Sequence, residues 1–229
     1  MAPLPLLAPR YWLLWIVIGI LWVLTRLPYC WQLAVGRQLG RLTYRLAPRR
    51  RRIAETNLKL CFPELSETQR DALLRRHFES LGMGLIEIPS AWWLSDSIVK
   101  PLEHFEGLEH LEAAFKRGKG VILLSAHFTS LEMGSRFFTM HANIHATYRP
   151  HENPLIDYLI KSNREDRAEK TIPRHAVREM LKSLKQNRAI WIATDQNFGH
   201  KNCVFPNFFG IPAATNPAIS RLAQISGAT

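Results

Sequence analysis

The run Gly120-Val-Ile-Leu-Leu-Ser-Ala126 constrains this chain most, because a continuous apolar stretch opened by glycine reads as a strand buried on both faces. Strands of that kind belong to parallel sheets covered by helices. A second such run, Ala189-Ile-Trp-Ile-Ala-Thr194, lies further on. Between them the pattern predicts a helix through Leu131–Phe138 and a strand at His145–Tyr148. A helix from Pro154 to Arg167, a short strand at Thr171–Ile172 and a helix from Val177 to Gln186 follow. Strands alternating with helices predict an α/β fold, a largely parallel sheet flanked by helices. A helix over Asn216–Ser226 with Gly227 as C-cap comes last, where the alternation expects another strand. The chain is therefore expected to stop inside its sheet domain.

The first hundred residues read differently. Tyr11 to Thr25 is an uncharged run between Arg10 and Arg26, about 22 Å long as a helix against a hydrocarbon core of about 30 Å. Trp12, Trp15, Trp22, Tyr29 and Trp31 are residue types of the membrane interface. Arg26, Arg37, Arg41, Arg45 and Arg49–Arg52 follow in place of a signal-peptidase site, so the segment reads as a retained anchor with the following chain in the cytoplasm. A short span and an interfacial helix both fit, and a buried core helix is the bland alternative. Arg37, Arg41 and Arg45, four apart, share one helix face, while Leu33, Leu39, Leu42 and Leu46 can face elsewhere, as on a helix lying on anionic lipid. Ser66-Glu-Thr-Gln69 is a capping-box signal opening a helix whose apolar positions Leu73, Leu74, Phe78, Leu81 and Leu85 run up to Pro89. Residues 90–118 read as mixed, with a strand near His104–Glu106 and a helix from Leu108 to Arg117. The organisation expected is an anchor over 1–31, a helical basic membrane-proximal region over 32–100 and an α/β domain over 101–229.

Charge follows the same division. Residues 1–60 hold ten Lys/Arg against one acid, and the remaining residues hold twenty against eighteen. A basic excess beside an apolar run points to membrane lipid, and the aromatics that single-stranded nucleic acid would require along Arg49–Arg52 sit in the apolar run instead. No nucleic-acid partner is expected. With 47% hydrophobic residues disorder is excluded, and Cys30, Cys61 and Cys203 are too scattered for a disulfide scaffold or a CxxC motif.

His127 directly follows the first buried run, at a strand's carboxyl end, where open α/β sheets place ligand crevices. Glu132 comes five residues later, so the two can meet only if His127 sits on the turn before a helix and Glu132 on its first turns. A carboxylate on one ring nitrogen leaves the other free to take a proton. Arg149 also follows a strand, and its fork suits phosphate or a developing oxyanion. Arg164 and Arg167 on the next helix fit an anionic partner, though a solvated helix face accounts for them too. Asp195 ends the Ala189–Thr194 strand, where it orients Arg149, bonds an acceptor or simply caps a turn. Asn197, Lys201 and Asn202 are weaker candidates. His141, His145 and His151 lack the partners of a metal site, and no metal is expected. Ser130 lies in no G-x-S-x-G elbow.

His127-Phe-Thr-Ser-Leu-Glu132 resembles the H-x4-D/E motif of the glycerolipid acyltransferase superfamily. Arg50–Ser66, Gly120–Glu132, Tyr148-Arg-Pro150, Thr194-Asp-Gln196 and Phe208-Phe-Gly210 resemble, in order, segments of the bacterial lipid A biosynthesis acyltransferases. The resemblance implies a glycerolipid acyltransferase-like sheet and acyl transfer from an acyl carrier protein thioester to a hydroxyl of a lipid A precursor. His127 would be the general base and Glu132 its orienter, with no cofactor, at the cytoplasmic face of a bacterial inner membrane. The rival readings are an inactive scaffold and a membrane-tethered binding module for anionic lipid or nucleic acid using Arg49–Arg52.

Overall fold

The computed structural model describes residues 3–196 and 203–229. Four helices come first: α1 (Trp12–Leu24), α2 (Tyr29–Leu46), α3 (Pro48–Cys61) and α4 (Glu67–Trp93). Among the described residues no helix is long and apolar enough to cross a membrane. The outer face of α1 exposes Trp12, Leu13, Ile16, Val17, Ile20 and Val23, while Leu14, Trp15 and Ile18 pack around buried Leu6, Tyr11 and Leu155. The expected Ser66–Gln69 capping box opens α4. Helices α2 and α4 run antiparallel: Tyr29 Oη donates to Glu87 (2.5 Å), Arg41 Nε to Glu79 (2.7 Å) and Tyr44 Oη to Asp71 (3.0 Å). Gly36 and Gly40 face Gly82 and the α4 backbone so closely that a β-carbon at any of the three would collide.

Proline does not end α4 as the sequence predicts. Pro89 lies inside the helix, which continues to Trp93. A helical proline costs about 3 kcal/mol, and the turn beyond it is held by tertiary contacts. Buried Ser90 donates to Gln32 (2.5 Å), Trp93 Nε1 donates to Asn163 (2.9 Å), and Ala91 and Leu94 pack with Met133. A second correction concerns His104–Glu106, which forms no strand. It lies between α5 (Asp96–Val99) with its following 3-10 turn and α6 (Leu108–Lys116). Pro101 and Gly107 (φ 80°) bracket too short a stretch to join a sheet.

The rest follows the predicted alternation: β1 (Val121–Ser125), α7 (Leu131–Thr139), β2 (Ile144–Tyr148), α8 (Pro154–Glu165), β3 (Lys170–Pro173), α9 (Val177–Lys185) and β4 (Ala189–Ala193). Their sheet is parallel, in the order β1-β4-β2-β3. Side chains alternate across it with the period of two that strands impose. Ile122, Ile190 and Ile192 meet Met180 and Leu184 of α9 and Leu222, and Val121, Leu123, Ala189 and Trp191 meet α6 and Phe138 of α7. The antiparallel pair β5 (Asn207–Phe208) and β6 (Ile211–Pro212) precedes α10 (Ala218–Ser226), which carries Leu222. Asn216, expected inside this helix, accepts from the Ala218 amide (2.9 Å), and Gly227 (φ 66°) is the expected C-cap. Thr229 then pairs with Gly120 and Ile122 on the outer edge of β1 (3.1 and 2.8 Å).

Candidate active site

A parallel sheet brings every strand's carboxyl end to one edge, so the residues that follow β1, β4 and β2 gather there. In the β1–β4 register Ser125 lies opposite Ala193. His127 and Asp195 each stand two residues beyond, and they meet. His127 Nδ1 is 2.6 Å from Asp195 Oδ1, and the His127 amide donates to Oδ2 at 2.9 Å. An ionised carboxylate only accepts, so Nδ1 donates to it, and in the neutral ring this tautomer leaves the lone pair on Nε2. No hydrogen bond to Nε2 is formed among the described residues, and the ring is about two-fifths exposed (38%). Partial burial pushes the Asp195 carboxyl up, but hydrogen bonds from the His127 ring and amide and from its own amide outweigh this and hold it below the usual carboxylate range.

The expected His127–Glu132 hydrogen bond is not formed. The local arrangement is the predicted one, with His127 on the turn after β1 and Glu132 in the first turn of α7. The Glu132 carboxylate, however, faces inward and is only 13% exposed. Arg164 of α8 grips it through Nε and Nη2, and Trp92 Nε1 of α4 donates to it at 3.2 Å. An inward carboxylate next to a guanidinium fork pairs with it, because a charge-assisted two-point contact is stronger than one bond to a neutral ring. Asp195 takes the place expected for Glu132.

The three arginines separate. Arg149 follows β2 at the same sheet edge, exposed and without an ion pair among the described residues. Arg164 is engaged by Glu132. Arg167 lies in the turn after α8, not on the helix, and bonds Asp96 at 3.2 Å. Beside it a cleft of about 450 Å³ is lined by Asp96, Lys100, Glu103, Arg136, His141 and Arg167, among others. Asn197, Lys201 and Asn202 lie outside the described residues. The three histidines do not converge. His145 is buried against Ser183 (2.8 Å), His141 is 2.7 Å from Glu103, and His151 Nδ1 accepts from the Asn153 amide (2.9 Å). Among the described residues no three potential ligands cluster for a metal.

Three supports escaped the sequence reading. Trp92 holds Glu132, the Ser80 hydroxyl is 2.8 Å from that of Thr129, and Gly84 lies so close that a β-carbon would strike the Thr129 carbonyl. All belong to α4, between 40 and 49 residues away in sequence. Only the long apolar periodicity of that helix pointed to it as packing.

Comparison with known proteins gives the family. Residues 4–229 match the family described as bacterial lipid A biosynthesis acyltransferase. The chain is 39% identical to the lipid A biosynthesis lauroyltransferase of Escherichia coli K12, over 97% of this chain and 73% of that protein. It is 37% identical to the palmitoleoyltransferase of the same strain with the same coverage. To its lipid A biosynthesis myristoyltransferase it is 26% identical, over 95% and 68%. With a match across nearly its whole length, and a histidine–carboxylate pair at the carboxyl edge of its parallel sheet, the chain belongs to the bacterial lipid A biosynthesis acyltransferase family, enzymes of acyl transfer in lipid A biosynthesis.

Proposed function

We propose that this chain transfers an acyl group from an acyl carrier protein thioester to a hydroxyl of a lipid A precursor, with His127 as general base. The acceptor O–H gives its proton to His127 Nε2 as its oxygen attacks the thioester carbonyl. The tetrahedral intermediate collapses by expelling the carrier thiolate, and the imidazolium returns the proton to sulfur. Asp195 holds the ring in the Nδ1–H tautomer and stabilises the imidazolium. The observation that carries the reading is the 2.6 Å His127–Asp195 contact at the sheet's carboxyl edge. Glu132 and Arg164 act as a paired wall beside it, with Glu132 neutralising Arg164. Arg149, with no ion pair among the described residues, is the cation for substrate phosphate or the developing oxyanion, and Arg167 contributes positive charge further out.

Attachment to the cytoplasmic face of the inner membrane is part of the proposal. The segment 1–31 is the anchor, 32–100 the membrane-proximal helices and 101–229 the catalytic part. The supporting observation is a row of exposed residues on α2, Trp31, Val35, Leu39, Leu42 and Leu46, three or four apart, alongside Arg37, Arg41 and Arg45. Such a helix lies in the plane of an anionic surface. The test of the chemistry is His127→Ala, assayed with acyl carrier protein thioester and lipid A precursor. General-base assistance is worth roughly 10²–10⁴-fold, so turnover should fall by about that factor, and a near-normal rate would remove His127 from the mechanism.

A further inference from the structure

The β5–β6 hairpin takes no part in the chemistry above, yet it is built to hold aromatic rings in the open. Its two central residues, Phe209 (φ 51°) and Gly210 (φ 77°), both have positive φ, as a tight two-residue turn requires. Glycine adopts that conformation freely, whereas a phenylalanine there is strained. The ring so placed is 54% exposed, and Phe205, Phe208 and Ile211 beside it are exposed as well. Residues 203–217 contain no charged side chain.

The hairpin continues a larger surface. Phe208 stacks edge-on against Phe209 (4.7 Å between centroids) and Phe209 against Phe62 (5.0 Å), the residue that caps the end of α3. Helix α3 carries Arg49–Arg52 and Lys59, and it exposes Ile53 and Leu60, seven residues apart on one face. Helix α2, with its own apolar row, leads from the α1 end of α4 to this end, since Tyr29 meets Glu87 and Tyr44 meets Asp71. Among the described residues, 103–203 expose only Leu124, Phe128 and Val177 as large hydrophobics, while the others lie before Glu103 or after Cys203.

We infer that the β5–β6 hairpin is a second bilayer contact, seating Phe208 and Phe209 in the headgroup region of an anionic membrane beside α3. The inference rests on the membrane-surface reading above and extends it to a segment far along the chain. Cations flanking apolar rows complement an anionic bilayer. An acidic carrier protein docking on the hairpin would instead need cations within it, and residues 203–217 have none.

The test uses the full chain with Cys30, Cys61 and Cys203 changed to serine and one new cysteine carrying an environment-sensitive fluorophore. The cysteine is placed by Phe208→Cys or, as reference on α1, by Ile16→Cys, and each variant is first checked for an unchanged Tm. Phosphatidylcholine vesicles containing phosphatidylglycerol should shift both labels to the blue and shield both from iodide. The double variant Phe208→Ser, Phe209→Ser should lower vesicle partitioning roughly tenfold. A shift at position 16 with none at 208 overturns the hairpin's role and leaves the anchor standing. A shift at 208 with acyl carrier protein but not with vesicles overturns it in favour of a protein partner. No shift at either position removes the membrane reading and the hairpin proposal together, without touching the catalytic one, since no turnover is measured.

Discussion

Two carboxylates near one histidine make separable predictions. Asp195 touches His127 directly and is 41% exposed, so Asp195→Asn should leave Tm almost unchanged and lower turnover by roughly 10²–10⁴-fold, through loss of the ring's orientation and charge partner. Glu132 is the inner member of an ion pair. Glu132→Gln strands Arg164, only 21% exposed, and should lower unfolding free energy by about 1–3 kcal/mol, below the larger cost of breaking a fully buried pair. Denaturant unfolding and turnover measured on both variants check the assignment, and a reversed pattern would exchange the two roles. Arg149 makes no ion pair among the described residues, so Arg149→Lys should leave Tm unchanged. If its fork binds phosphate or an oxyanion, turnover or KM should worsen about tenfold or more; equal kinetics would return Arg149 to the solvated surface. Of these relations, the position of His127 was legible in the sequence because it depends only on where a buried strand ends. Its partner was not, because the β1–β4 register joins residues 68 apart.

At the scale of elements, close helix packing is the exposed point. A β-carbon at Gly40 meets the backbone of Phe78 and Glu79, not a flexible side-chain end. Gly40→Ala should therefore cost about 1–3 kcal/mol by overpacking, outweighing the roughly 0.5–1 kcal/mol that alanine gains over glycine in a helix. Gly19, whose β-carbon would meet nothing within 4 Å, is the control, and Gly19→Ala should be neutral or stabilising. Comparing midpoints of denaturant unfolding decides it. Helix starts were legible because capping is local, as at Ser66. The continuation of α4 through Pro89 was not, because the turn beyond is held by α2, α7 and α8.

For the whole molecule, buried His145 in β2 is one source of acid sensitivity, with His77 of α4, also lowered by burial, another. Burial pushes the His145 pKa below the ordinary 6.5, with Lys170 and Arg188 acting in the same direction and Glu169, 3.5 Å away, opposing them. A group with a lowered folded pKa binds its proton more readily when unfolded, so stability rises with pH through this range. The contribution is complete above about 6.5 and is lost as pH falls toward the lower folded value. His145→Asn, which can keep a bond to Ser183, should flatten the loss of Tm between neutral and mildly acid pH. An unchanged slope would assign acid sensitivity elsewhere.

What the sequence determined by itself is what short-range physics controls. Burial periodicity set the strand and helix alternation from Val121 onward, glycine and serine chemistry set the caps, and the uncharged run set α1 with its exposed face. Tertiary structure decided which strand lies beside which. The order β1-β4-β2-β3 places β4, the last of these strands in the chain, between β1 and β2, and that insertion carries Asp195 to His127. The inward turn of α7 carries Glu132 to Arg164 and Trp92. Pairing between strands and helices distant in sequence depends on how whole layers bury their apolar faces, and no local window of residues contains that information.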